Sequence, residues 1–221
     1  MPSGILIIDK PAGWTSMDVC AKVRGIFHEK RVGHGGTLDP MATGVLPVFV
    51  GQATRGVEFA ENGQKEYVAG LRLGQVTDTQ DVTGTTLETR PVTADRAALE
   101  SLLPRFLGEQ DQIPPMYSAV KVGGRNSTTW PGRDSRGTEA PPHHHLRAGA
   151  TGPGERNGLP APLPLLQGTY IRTLCHDIGR QLGCGGTLYA LRRTMAVGFR
   201  LEQAVTLEAV QAQVQRSCCL R

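Results

Sequence analysis

The stretch Arg31-Val32-Gly33-His34-Gly35-Gly36-Thr37-Leu38-Asp39-Pro40-Met41-Ala42-Thr43-Gly44-Val45-Leu46-Pro47-Val48 places one carboxylate, with no second acid beside it, in a loop of glycine, small hydroxyl residues and proline. The loop runs straight into an apolar segment. Glycine carries no Cβ, so a loop of this composition brings backbone and a lone Asp close to a bulky ligand. The same residues also suit a plain turn at Asp39-Pro40. The rest of the chain separates the two readings.

Working outward, Gly4 to Asp9 reads as a buried strand, broken by Lys10-Pro11-Ala12-Gly13. Thr15 or Ser16 then caps a helix with Met17, Cys20, Val23 and Phe27 on one face. Val45 to Val50 is a second apolar strand, and Glu66 to Leu73 a third, with Tyr67, Ala69 and Leu71 on one side. Thr93 to Leu107 has the spacing of an amphipathic helix with Leu99, Leu102, Leu103 and Phe106 inward, and Met116 to Val122 returns to strand. Ile171 to Leu182 and Leu188 to Arg193 read as helices, Val197 to Leu201 as a strand, and Leu207 to Val214 as a last helix. Strands and helices intermingle without a regular βαβ rhythm, which predicts a mixed α+β architecture.

Composition sets bounds on function. The 221 residues are 39% hydrophobic and 20% charged, enough for one substantial core. A net charge of +4 is compatible with a polyanionic partner and does not by itself establish one. Five cysteines, Cys20, Cys175, Cys184, Cys218 and Cys219, are odd in number and form no CxxC pair, so neither a disulfide framework nor a zinc site is indicated. The apolar run Ile5-Leu6-Ile7-Ile8 gives way at once to Asp9-Lys10, too short for a signal peptide or membrane span, and the chain reads as cytoplasmic.

Four separated segments decide the reading of Asp39: Gly4-Ile5-Leu6-Ile7-Ile8-Asp9-Lys10-Pro11-Ala12-Gly13-Trp14-Thr15-Ser16, the Asp39 loop, Lys65-Glu66-Tyr67, and Gly168-Thr169-Tyr170-Ile171-Arg172-Thr173-Leu174. Together with Pro114-Pro115-Met116-Tyr117-Ser118-Ala119-Val120-Lys121 and Leu191-Arg192-Arg193-Thr194, this set resembles the TruB-type tRNA pseudouridine synthases in order, spacing and identity. The resemblance implies a largely antiparallel mixed sheet flanked by helices. It also implies isomerisation of a uridine in the T arm of tRNA without metal or organic cofactor, by a monomer with no membrane attachment. By resemblance Asp39 is the catalytic carboxylate, acting either as nucleophile or as the base that removes a sugar proton. Arg172 matches the arginine that pairs with it. Tyr67 matches the tyrosine that stacks on the flipped base, and His34 the histidine that fills the vacated place in the RNA loop. Tyr170 and Leu191 match pocket walls, and Lys10 with Pro11 a support for the catalytic loop. Arg31, Lys121, Arg192 and Arg193 are candidate phosphate contacts.

The block Asn126 to Gln167 departs from the family: it is crowded with Gly and Pro and shows no apolar period, so it reads as a structureless loop of unusual length. Back-translation offers a cause. One shifted frame of Asn126-Ser127-Thr128-Thr129-Trp130-Pro131-Gly132 permits Lys-Leu-Tyr-Asp-Leu-Ala-Arg, the helix start that the family pattern has there. The other phase turns Pro162 to Gln167 into Arg-Phe-Arg-Cys-Ser-Lys. The expectation is one catalytic domain over 1–215 with 126–167 out of frame and the family's small C-terminal RNA-binding domain absent; resequencing that finds the frame intact would refute it. On that reading His143 to His145 carry no metal-binding meaning. The alternative function is an RNA-binding or tRNA-folding module with its chemistry impaired, or a non-functional frameshifted product.

Overall fold

The computed structural model describes residues 3–61, 63–106, 108–109, 112, 115, 121–122, 125–126, 145–146, 162–165 and 170–219. In chain order the elements are β1 (Gly4–Lys10), α1 (Ser16–Phe27), β2 (Val32–His34), β3 (Thr43–Val50), a 3-10 turn Gly51–Gly56, α2 (Val57–Glu61), β4 (Lys65–Leu73), β5 (Gln75–Thr77) and β6 (Thr86–Thr89). There follow α3 (Arg96–Leu102) with a 3-10 turn Leu103–Phe106, β7 (Gly108–Glu109), β8 (Lys121–Val122), β9 (Arg125–Asn126), β10 (His145–Leu146) and β11 (Pro162–Leu165). The last elements are α4 (Ile171–Gln181), β12 (Gly186–Ala196), β13 (Phe199–Arg200), a 3-10 turn Leu201–Gln203 and α5 (Leu207–Cys219). Two compact units are formed, one from 1–68 with 191–221, the other from 69–190.

In the first unit β1 lies antiparallel on β3, from Gly4 opposite Val50 to Lys10 opposite Gly44. The C-terminal half of β3 also pairs antiparallel with β2, and its start pairs parallel with β12, Arg192 opposite Thr43 and Arg193 opposite Gly44. The strand is therefore shielded on both edges, and seven of its eight residues are buried. Helix α1 is started by a capping box in which the Thr15 hydroxyl accepts from the Asp18 amide and the Asp18 carboxylate accepts from the Thr15 amide. Its buried face is Ser16, Val19, Cys20 and Val23, a helical stripe of spacing three, four and seven. With Ile8, Val32, Leu46, Val48, Val50, Leu207 and Val210 this stripe forms the core of the unit. Each such aliphatic side chain contributes roughly 1.5–3 kcal/mol by leaving water. Met17, expected inward, is 52% exposed, because it sits a quarter-turn off that stripe.

In the second unit β5 and β6 form a hairpin, and β10 pairs antiparallel with both β11 and β7. Helix α3 starts at Asp95, whose carboxylate accepts from the Ala98 amide. The expected single helix from Thr93 to Leu107 becomes a short α-helix and a 3-10 turn, because Pro104 has no N–H to continue the ladder. Leu99, Leu102 and Phe106 are buried as expected; Leu107 lies outside the described residues.

Three further expectations change. Leu188 to Arg193, read as helix, belongs to strand β12. From Leu191 onward burial alternates, Leu191, Arg193 and Met195 inward, and a buried arginine in that set hides the two-residue period from a hydrophobicity reading. Val197 and Gly198 form the turn between β12 and β13. Within 126–167, read as structureless, strands β9, β10 and β11 are paired; ladder hydrogen bonds join backbone to backbone and need no apolar pattern. The rest of that block lies outside the described residues, as do 116–120 of the strand expected from Met116 to Val122.

The turn at Val197 carries a testable strain. Its φ of 56° is left-handed, which costs a β-branched residue on the order of 1–2 kcal/mol, and the following Gly198 is also at positive φ. Val197→Asn gives the Asn-Gly pair that such a hairpin turn favours, and is expected to raise stability by about 1 kcal/mol, read as a higher urea midpoint at unchanged slope.

Candidate active site

The loop between β2 and β3 is held by its backbone on both sides of Asp39. The Ser16 hydroxyl accepts from the Leu38 amide at 2.9 Å and lies 3.2 Å from the Leu38 carbonyl, to which it donates. The Pro40 carbonyl accepts from the Gly13 amide at 2.8 Å and from Lys10 Nζ at 3.2 Å. Upstream, the Arg193 guanidinium donates to the carbonyls of Gly36 and Thr37 at 3.3 and 3.5 Å, and its Nε to that of Val45 at 2.6 Å. The half-buried Asp39 therefore sits on a loop pinned from β1, from the start of α1 and from β12. At the loop's exit only glycine fits: Gly44 has φ +101°, and a Cβ there would lie 2.2 Å from the Arg193 carbonyl oxygen.

Lys10 is fully buried, and burial pushes its pKa down to about 8, against the opposing pull of the Asp39 carboxylate. Its Nζ also donates to the Pro11 carbonyl at 2.9 Å. The folded protein releases this proton near pH 8, whereas the unfolded chain keeps it until near 10.5. Between those values the unfolded state binds more protons, so the folded state gains stability as pH rises, and the cost of burying the cation is fully present below pH 8. The gain is on the order of 1–2 kcal/mol after solvent screening. The parent is expected to show a rise in Tm between pH 8 and 10, and Lys10→Met to flatten it.

The other candidates of the first unit divide. His34 and Tyr67, at the end of β2 and in β4, are half-buried, and Leu191 is 7% exposed in β12. Arg31, half-exposed, lies 3.8 Å from Glu29. Arg192 is held by Asp9 at 2.9 Å and by the Thr43 hydroxyl at 3.2 Å, with its side chain still 41% exposed. Arg193 was expected on the surface against phosphate and is instead 0% exposed, its guanidinium bonded to the carbonyls that shape the loop. The inward side of β12 places it there. Lys121, in the second unit, enters β8 opposite Asn126.

Tyr170 and Arg172 belong to the second unit, at the start of α4. Tyr170 is the N-cap and supplies no side-chain cap. Its amide donates to Gln112 Oε1 at 2.8 Å and its carbonyl accepts from Gln112 Nε2 at 3.3 Å. Arg172 is buried, its Nε 3.9 Å from Asp81 Oδ2 and its Nη1 donating to the Thr79 carbonyl at 3.4 Å. Sequence reasoning missed Ser16 as a loop anchor, Asp81 and Gln112. Only pairing across 22 to 91 positions identifies them. The buried thiols of Cys20 and Cys175, pushed up to about 11 and about 12 by burial, stay protonated at neutral pH. Among the described residues no helix is long and apolar enough to cross a membrane.

Comparison with known proteins bears on this arrangement. Residues 24–142 match the family model described as TruB family pseudouridylate synthase (N terminal domain), and residues 172–218 match the one described as tRNA pseudouridylate synthase B C-terminal domain. The class is thereby that of pseudouridylate synthases. Two curated relatives, both named tRNA pseudouridine synthase B, extend the match. That of Heliobacterium mobile is 46% identical over 220 residues, covering 94% of this chain and 69% of the relative. That of Opitutus terrae is 41% identical, covering 95% of this chain and 87% of the relative. The chain belongs to the TruB family. The α+β fold is shared with solved structures of a Cbf5-Nop10-Gar1 complex, at a TM-score of 0.72 and 31% identity, and of an H/ACA RNP bound to a substrate RNA containing 2'-deoxyuridine, at 0.70 and 28%. Each comparison covers 95% of this chain, which spans about half the length of those chains.

Proposed function

We propose that this chain isomerises a uridine in the T arm of tRNA to pseudouridine, with Asp39 as the catalytic carboxylate. The observation that carries the reading is the pinning of the Asp39 loop by Ser16, Lys10 and Arg193, which fixes one carboxylate in a chain whose family is that of pseudouridylate synthases. The reaction breaks the bond from N1 of uracil to C1′ of ribose, turns the base, forms the bond from C5 to C1′, releases the C5 proton and places a proton on N1. One positioned carboxylate serves as nucleophile at the sugar or as base toward it. The base must leave its stack first, at a cost of a few kcal/mol, and an aromatic face returns about 1–3 kcal/mol of that. Tyr67 provides that face, His34 enters the space left in the RNA loop, Arg172 partners the carboxylate, and Tyr170 and Leu191 wall the pocket. Arg31, Lys121 and the exposed part of Arg192 meet the phosphate backbone.

The test is tritium release from a T-arm hairpin carrying 5-tritiated uridine. Release is expected from the hairpin with its T-loop uridine labelled and not from one labelled only in the stem. Equal release from both, or none from either, overturns the reading.

A further inference from the structure

The residue before Asp81 has an unusual backbone. Gln80 has φ +63°, a left-handed conformation that costs a non-glycine residue on the order of 1 kcal/mol and persists where surrounding contacts fix it. Here they do. The Gln80 carbonyl accepts from the Leu188 amide and the Val82 amide donates to the Leu188 carbonyl, both at 3.0 Å, which ties the loop between β5 and β6 to the start of β12. Asp81 is braced from within the loop: its Oδ1 accepts from the hydroxyls of Thr79 and Thr83 and from the Thr83 amide.

The conformation has a geometric effect. In extended backbone, successive side chains point to opposite faces. The left-handed residue turns two neighbours toward one partner, the first turn of α4: Asp81 faces Arg172, and Gln80 Oε1 accepts from the Thr173 hydroxyl at 2.9 Å. The first contact is long, 3.9 Å between Arg172 Nε and Asp81 Oδ2, and it is joined by the bond from Arg172 Nη1 to the Thr79 carbonyl at 3.4 Å on the same loop. The second is a close hydrogen bond to the very next residue, and together with the Gln112 bonds to Tyr170 it ties the helix start in place. That start has no side-chain cap of its own.

We propose that Gln80 is a positioning residue for Arg172, acting through the Thr173 hydroxyl to fix the direction in which the guanidinium is presented. The proposal rests on the reading of Arg172 as partner of the catalytic carboxylate. Thr173→Val removes the hydroxyl and Thr173→Ser keeps it, while Gln80→Gly removes the side chain at a position whose backbone glycine adopts freely, so the fold is preserved. Tritium release is expected to show kcat about tenfold lower for Thr173→Val and Gln80→Gly, KM within about twofold, and parental values for Thr173→Ser. The double variant is expected to be no slower than either single one, since both remove the same bond. Independently of turnover, the Nε–H resonance of Arg172, assigned by its loss in Arg172→Lys, is expected sharp in the parent and in Thr173→Ser, and broadened or shifted in the other two. Parental kcat and an unmoved resonance in Thr173→Val and Gln80→Gly, even with a lowered Tm, would overturn the proposal by showing a structural role only. Full activity in Arg172→Lys and Arg172→Ala would instead sink the underlying reading of Arg172, a different result from the first.

Discussion

Asp39→Asn is expected to lower pseudouridine formation roughly 10⁴-fold while leaving the fold and RNA affinity near parental values, because the amide keeps the shape of the carboxylate and loses both its nucleophilicity and its basicity. At 1.36 kcal/mol per tenfold, the loss corresponds to about 5 kcal/mol of transition-state stabilisation. The fold is spared because the nearest anchors of the loop are bonds of Leu38 and Pro40 to Ser16, Gly13 and Lys10. Single-turnover assay with filter binding at fixed salt separates the two effects. A variant that binds RNA normally and still isomerises at more than a tenth of the parental rate would remove Asp39 from the chemistry. The same substitution takes away the attraction that holds the Lys10 proton, so Lys10 should titrate lower still in the variant.

Arg193→Met is expected to cost about 3–5 kcal/mol of stability, a fall in Tm of roughly 6–20 °C for a chain of this size. The guanidinium is completely buried and reaches three carbonyls, those of Gly36, Thr37 and Val45. Removing it leaves buried acceptors with a donor lost, and that desolvation cost exceeds the modest net worth of the bonds themselves. Arg193→Lys keeps the charge and not the fork, so it should recover less than half of the loss. Thermal unfolding of the three proteins decides the matter. A Met variant within about 1 kcal/mol of the parent would mean that the loop is held without this side chain.

Much of the first unit is legible in the residues themselves. The apolar runs of β1 and β3 and the stripe of α1 announce their elements, and the lone acid among glycines marks the loop. Lys10, picked out beside Pro11, donates to the Pro40 carbonyl of that loop. Strand β12 is not legible, for a physical reason. Its inward positions include a long cation, and a pattern reading treats any arginine as facing water. The same habit put Arg193 among the phosphate contacts. Asp81 is concealed differently: it is one acid among twenty, and only its approach to Arg172, 91 positions away, marks it. Ser16 looks like a helix cap in sequence, a role that Thr15 fills, which leaves its hydroxyl for Leu38.

The first unit is discontinuous in the chain, and its Asp39 loop is clamped by an arginine about 150 residues downstream. During synthesis at roughly 5–20 residues per second, the loop is polymerised some 8–30 s before Arg193. No N-terminal fragment, however long short of that strand, contains the donor that closes the loop. Assembly of the Asp39 loop thus waits for β12, and a nascent chain that meets folded RNA before then meets it with the loop unclamped.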